Sequence, residues 1–387
     1  MDETAAAHAA LGSSALSHVR ARIRDGTLLA FHRLGVLSAA QWWWNRTNFS
    51  VLMYHAVTDV DECLRKRYPL VYRNAVTAEQ LDSHIRYLKS RSDLLSVEEF
   101  IDCQSRRQFP RMGALLTFDD GLKCFGTVAD PLLARHGVPA VVFLVTGLMD
   151  RESRGEVAWQ WTEAVAALVY ARGVAMKSAW KAARSLLPVP LPDVSTGVSD
   201  EALIRLLWQA LWQTPRAARS KTLDQLVQAV GGLPDSQQFP ADRRGTSVLA
   251  PLSWQDARRL LRPQLSFGSH SINHVRLSEL GGAEAQWEVL GSLSRIAEEL
   301  SQRPRMFAYP YGDTGADASL DNGLKRAGVL ASFSAQYGFI RGAARHDVMP
   351  RVGVPGDCST PRLAYYLSGL RGIHEQRTGR RVTGRPW

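Results

Sequence analysis

Short, mostly apolar runs, too brief to be helices, recur along this sequence with helical patterns between them. No other feature restricts the fold as much. The runs cover 51–54, 94–97, 113–118, 140–145, 265–268, 306–309, 331–334 and 348–354. An unbroken apolar run of this length fits a strand buried on both faces. Thr77 with Gln80, Ser96 with Glu99, and Ser253 with Asp256 are capping patterns that start helices between the strands. Further helices are expected over 131–135, 283–301 and 320–327, with Gly137 and Gly328 ending the first and last. Strands alternating with helices imply a parallel sheet covered by helices. Seven or eight such units predict an α/β fold, an irregular (β/α)7-8 barrel.

Residues 162–250 break the alternation. Helical patterns over 163–171, 175–187, 200–212 and 215–230 are separated by a proline-rich stretch, 188–192, and by Gly231-Gly232, with no strand signal. This segment reads as a helical insertion, a cap over one rim. The predicted organisation is therefore an N-terminal segment over 1–48, the barrel over 49–161 and 251–360, the insertion over 162–250, and a C-terminal helix with a polar tail over 361–387.

The chain has 387 residues, 45% of them apolar, enough for one large domain with additions. Its formal charge of +10 favours anionic partners. No nucleic-acid motif is present, so nucleic acid is not an expected partner. Four well-separated cysteines with no C-x-x-C pair fit reduced thiols, hence a cytoplasmic protein. The N-terminus lacks a cleaved-signal pattern, and its alanine- and serine-rich first 20 residues are expected to be poorly ordered. The apolar stretch 27–40 is interrupted by His32 and Arg33 and is too short to span a bilayer. Five arginines, from Arg20 to Arg46, flank it and lead into Trp42-Trp43-Trp44. That composition suits a helix lying at a membrane surface, peripheral to the inner face; packing against the barrel fits it equally well.

Four strands end in reactive residues. The first delivers His55; the run 113–118 delivers Asp119 and Asp120, with Gly121 making the turn; 265–268 leads to His270 and His274; 306–309 leads to Pro310 and Tyr311. In a parallel barrel all these ends share one face. Two adjacent carboxylates at a buried strand end are costly unless a cation compensates them; a solvated Asp-Asp-Gly turn is the plain alternative. His270 and His274, four apart, would face the same way on one helical turn. Two His and one Asp leave open coordination positions, suited to zinc for hydrolysis or iron for oxygen chemistry. A second, free Asp favours hydrolysis, which needs a base.

Thr117-Phe-Asp-Asp-Gly121, His270-Ser-Ile-Asn-His274 and Phe307-Ala-Tyr-Pro-Tyr-Gly312, in this order, resemble the successive motifs of the polysaccharide deacetylases, carbohydrate esterase family four. So do the stretches 52–57, 130–140 and 349–352, and the likeness covers about residues 50 to 357 without the insertion. The resemblance implies a hydrolase that removes N-acetyl groups from a polysaccharide or other sugar-containing substrate. It implies Asp119 as general base, Asp120, His270 and His274 as ligands of a divalent metal, most simply zinc, and the Tyr311 N–H, after Pro310, as an oxyanion donor. Hydrolysis of another small or cyclic amide, and inactive glycan binding, are the alternatives.

Two departures stand out. Many members carry an Arg two positions before the Pro-Tyr, orienting the base; Ala308 stands there, and Arg351 near the end of the last strand is the replacement candidate, against a purely structural role. Many members also take the general acid from a Leu-x-His motif near the C-terminus. Here only Leu370-Arg-Gly-Ile-His374 is found, with different spacing, so His55 is the candidate acid, against a structural His. Trp161, with Trp159, offers a surface on which a sugar ring could stack, although packing under the insertion suits at least one of them.

Overall fold

The computed structural model describes residues 23–372, apart from 24, 46, 184–197, 237–238, 241–244, 246, 315–317 and 342–347. Ten strands are present among them: β1 (Asn48–Tyr54), β2 (Ala56–Thr58), β3 (Ala75–Thr77), β4 (Ala114–Phe118), β5 (Ala140–Leu144), β6 (Leu265–Ser269), β7 (Met306–Ala308), β8 (Ala331–Tyr337), β9 (Ile340–Arg341) and β10 (Met349–Gly353). Seven of them form a closed parallel barrel in the order β1, β4, β5, β6, β7, β8, β10, with β10 pairing back to β1. β9 adds antiparallel to β1, and β2 pairs with β3 apart from the barrel. β4 and β5 are buried at every position, one face inside the barrel and one under the helices, which is why their sequences are almost wholly apolar.

The run at 94–97 is not a strand. Only Leu94 bridges, to Ala114, because Ser96 caps the helix Val97–Arg106 through a complete capping box. Thr77 and Ser253 cap the helices Ala78–Lys89 and Trp254–Arg259 in the same way. Gly137, at φ 62°, ends the helix Asp130–His136 in the left-handed conformation that glycine adopts without steric cost.

Between β5 and β6 run the helices Trp161–Ala183, kinked at Gly173, Asp200–Gln213 and Arg216–Ala229. They are not a detachable body. Trp180, Trp208, Leu207 and Leu211 share one apolar cluster with Val71, Tyr72 and Ala75 of the 59–77 region and with Leu122 and Cys124 beyond β4. None of the four cysteines is in a disulfide.

Candidate active site

β4 is buried along its whole length and delivers Asp119, which is 3% exposed, followed by Asp120. An unpaired carboxylate at such a depth is strongly disfavoured. Asp119 is paired: Arg351 Nη1 and Nη2 donate to its two oxygens, each at 2.7 Å. Arg351 is itself fully buried, and its Nε donates to the Ser334 carbonyl at 2.8 Å. That carbonyl lies where the β8–β10 register slips, between the pairs Met349↔Phe333 and Arg351↔Tyr337. The irregularity turns Arg351 into the barrel, a usual consequence of a bulge. Burial alone would raise the Asp119 pKa, but the Arg351 guanidinium, with His270 and His55, brings it down to about 2.

Asp120 takes φ 73° and Gly121 φ 62°, so the chain turns sharply and sends the two carboxylates in different directions. Asp120 Oδ1 is buried and accepts no hydrogen bond. It lies 3.3 Å from His274 Nε2 and 3.8 Å from His270 Nε2. His270 Nδ1 is tied to the Ala308 carbonyl at 2.7 Å, which fixes the tautomer and leaves Nε2 as an acceptor. Burial drives the His274 pKa down to about 3, with Asp120 only partly opposing it, so this ring is neutral as a metal ligand requires. Two ligands of a tetrahedral metal at about 2.1 Å are about 3.4 Å apart, close to these spacings. The donor set and the unsatisfied oxygen therefore fit a divalent cation. Asp120, His270 and His274 are the one such cluster among the described residues.

The His270–His274 segment is not the helical turn expected. β6 ends at Ser269 and a tight loop follows, with Ser271 at φ 65° and His274 at φ 51°. The rings still converge, their centroids 4.8 Å apart. A residue absent from the sequence reading holds the loop: Glu288, fully buried, accepts from the Ile272 and Asn273 N–H groups at 3.0 and 2.9 Å and from Asn273 Nδ2 at 2.8 Å. Gly147 presses on the other side, where a Cβ would sit 2.7 Å from the Ile272 carbonyl oxygen. The signal for Glu288 was an acid on the buried stripe Ala285, Glu288, Val289 and Ser292 of the helix Gly282–Leu300.

Tyr311 is held at φ 58°, and no Cβ fits at Gly312 because Ala335 N lies 2.4 Å from its ideal position. Pro310 is buried and opens this turn. Among the described residues, four of the seven non-glycine positions with positive φ belong to this site, so backbone strain concentrates where chemistry is expected. The Tyr311 ring packs on His274 at 4.5 Å and meets the edge of Trp212 at 5.2 Å. Trp212 comes from the insertion and was not singled out in the sequence, where it looked like one more apolar residue of a helix. Trp161 lies beside it, 6.5 Å away, whereas Trp159 is packed under the insertion with its indole N–H on the Pro234 carbonyl. Arg276 covers Trp212 and Arg219 covers Trp161, at 4.3 and 5.1 Å, and both arginines pair with Glu279. His55 follows β1 directly, and its Nδ1 is buried without a partner. His374 lies outside the described residues.

The polysaccharide deacetylase family model matches residues 106–179 and 222–331, either side of part of the insertion. The chain carries a polysaccharide deacetylase domain. Among curated proteins it is similar to the poly-β-1,6-N-acetyl-D-glucosamine N-deacetylase of Staphylococcus aureus, 30% identical over 80 residues; that match spans 20% of this chain and only 28% of the relative. Two solved structures share the fold. The Streptococcus pyogenes deacetylase PplD, in complex with acetate, aligns at a TM-score of 0.52 and 16% identity over 84% of this chain and 99% of its own. IcaB from Ammonifex degensii aligns at 0.50 and 17% over 83% and 97%.

Proposed function

We propose that this chain is a metal-dependent hydrolase that removes acetyl groups from N-acetylated sugar units. One observation carries the reading: a buried carboxylate gripped by Arg351 stands beside a one-Asp, two-His set whose carboxylate oxygen is unsatisfied.

Asp120, His270 and His274 would hold the metal, zinc being the first candidate. When bound, it would polarise the acetamide carbonyl and acidify a water, which matters because Arg351 makes Asp119 a weak base. Each Asp119 oxygen keeps a second lone pair after binding Arg351, so the carboxylate can still accept the water's proton, in an orientation the fork fixes. The Tyr311 N–H, held by the strained turn, would donate to the oxyanion as it develops. His55 would protonate the leaving amine, without which an amide does not cleave. Trp161 and Trp212, at the same end of the barrel, would offer faces to the sugar rings, and the insertion would limit which glycans enter.

The N-deacetylase named among the relatives makes poly-β-1,6-N-acetylglucosamine the first substrate to try. Acetate release by the zinc-loaded chain should be measured on oligomers of that polymer, on chitin oligomers and on simple acetamides. Release from an acetylated glycan is expected. Release from acetamides alone would replace the glycan with a small amide, and none from any of them would leave a binding protein.

A further inference from the structure

We propose that the helical hairpin over 25–45 docks the protein on an anionic phospholipid surface, with the barrel mouth facing away from it. Ten large apolar side chains are exposed among the described residues, and seven of them fall between Ile23 and Trp43. Leu34 is 76% exposed, Trp43 69% and Trp42 52%. Scattered singly such residues mean little, but concentrated on one segment they mark a surface that another phase covers.

The two halves of the hairpin are built differently. The helix Val36–Asn45 buries Leu37, Ala40 and Gln41, at helical spacing, against the protein. Gln41 accepts from the Tyr87 hydroxyl at 3.2 Å. This anchors the helix and turns Val36, Trp42 and Trp43 outward. The helical stretch 25–33 buries none of its residues and touches the protein through few groups, among them the pairs Asp25–Arg362 and His32–Tyr87. A helix this short is marginal in water on its own. Leu29 and Phe31 on it are exposed, so it lacks the apolar partner that would stabilise it.

The occupant follows from composition and charge. Between 20 and 46 the chain carries five arginines against one aspartate, Asp25. Arginines this close in sequence to exposed tryptophans suit a lipid headgroup layer, which takes aromatic rings among its headgroups and cations at its phosphates. A second copy of this chain would bring the same positive charge to the contact. No described helix is long and apolar enough to cross a membrane, so the attachment is peripheral. Trp43 is five residues from Asn48, where β1 begins, and the candidate site lies at the opposite ends of the strands. The mouth therefore opens toward solvent and the glycan that it holds.

The test uses the full chain, vesicles and no substrate, so it is independent of the proposed activity. Wild type should sediment with phosphatidylcholine–phosphatidylglycerol vesicles, weakly with phosphatidylcholine alone, and less as salt rises. The variant L34Q/W42Q/W43Q, altered only where side chains are exposed, should melt like wild type and partition roughly a hundredfold less. Failure of wild type to sediment with either vesicle overturns the proposal. So does equal binding by the variant, or a wild-type dimer in light scattering that the variant abolishes, which would make the face an interface between copies.

Discussion

Replacing Arg351 with methionine keeps most of the side-chain volume and removes the charge. Asp119, 3% exposed, would then lose both of its guanidinium bonds, and the Ser334 carbonyl would lose its donor. The native Asp119 pKa of about 2 lies below its ordinary 3.8, so the folded state binds the proton less tightly than the unfolded chain. The pairing therefore contributes stability above pH 4 that is lost as pH falls through about 2. A shift of that size corresponds to about 2 kcal/mol. Removing one partner of a buried ion pair costs about 3–5 kcal/mol, because the abandoned charge adds its own desolvation. Urea denaturation at neutral pH should accordingly show Arg351→Met less stable by about 3 kcal/mol. Part of that loss should be recovered as pH drops and Asp119 becomes neutral. The acid limb of the pH–rate profile should move to higher pH. A variant within about 0.5 kcal/mol of wild type, with an unmoved acid limb, would refute the pairing argument, since it would place no buried charge at risk.

Asp119→Asn should keep its metal and lose turnover by about 10²–10⁴-fold; loss of metal by elemental analysis would make Asp119 a ligand instead. His55→Ala should likewise retain metal and glycan binding but release acetate far more slowly, and near-normal release would return His55 to a structural role. Trp212→Leu should lower kcat about tenfold with metal affinity unchanged, because it frees the strained Tyr311 turn, while Trp212→Phe restores most of the loss; a change in KM alone would limit Trp212 to sugar contact. His84 is buried between the Tyr54 hydroxyl and the Cys358 carbonyl, and burial lowers its pKa to about 4 despite that carbonyl. Its neutral form thus contributes about 3 kcal/mol that is complete above pH 6.5 and lost as pH falls toward 4, so His84→Gln should flatten the melting temperature across that window.

The central barrel strands were legible because burial on both faces leaves an almost unbroken apolar run, as in 140–145, which contains β5. β2, β3 and β9 were missed because two or three residues carry no period. The run at 94–97 misled because Ser96 reads as both strand and cap, and the cap's hydrogen bonds win. That the candidate residues share one place was legible from their order: His55, Asp119, Asp120, His270, His274 and Tyr311 all follow the C-terminal ends of strands of one parallel barrel. Arg351 emerged only from the Ala308 departure, and the register slip that aims it leaves no mark in the sequence. The loop shape between His270 and His274 depends on Glu288, which is distant in the chain. Trp212 was illegible for the same reason. A helix pattern reports which residues are apolar, not that one ring at its end meets a tyrosine 99 positions later.

The central claim is that a metal held by Asp120, His270 and His274 makes this barrel a glycan N-deacetylase. Acetate released from an N-acetylglucosamine oligomer should be measured while zinc is titrated into chelator-stripped protein. The account predicts no release without metal, a rise that saturates at one zinc per chain, and no rise for His274→Ala. Equal release before and after stripping, or none from the fully loaded chain on any acetylated glycan, would contradict it.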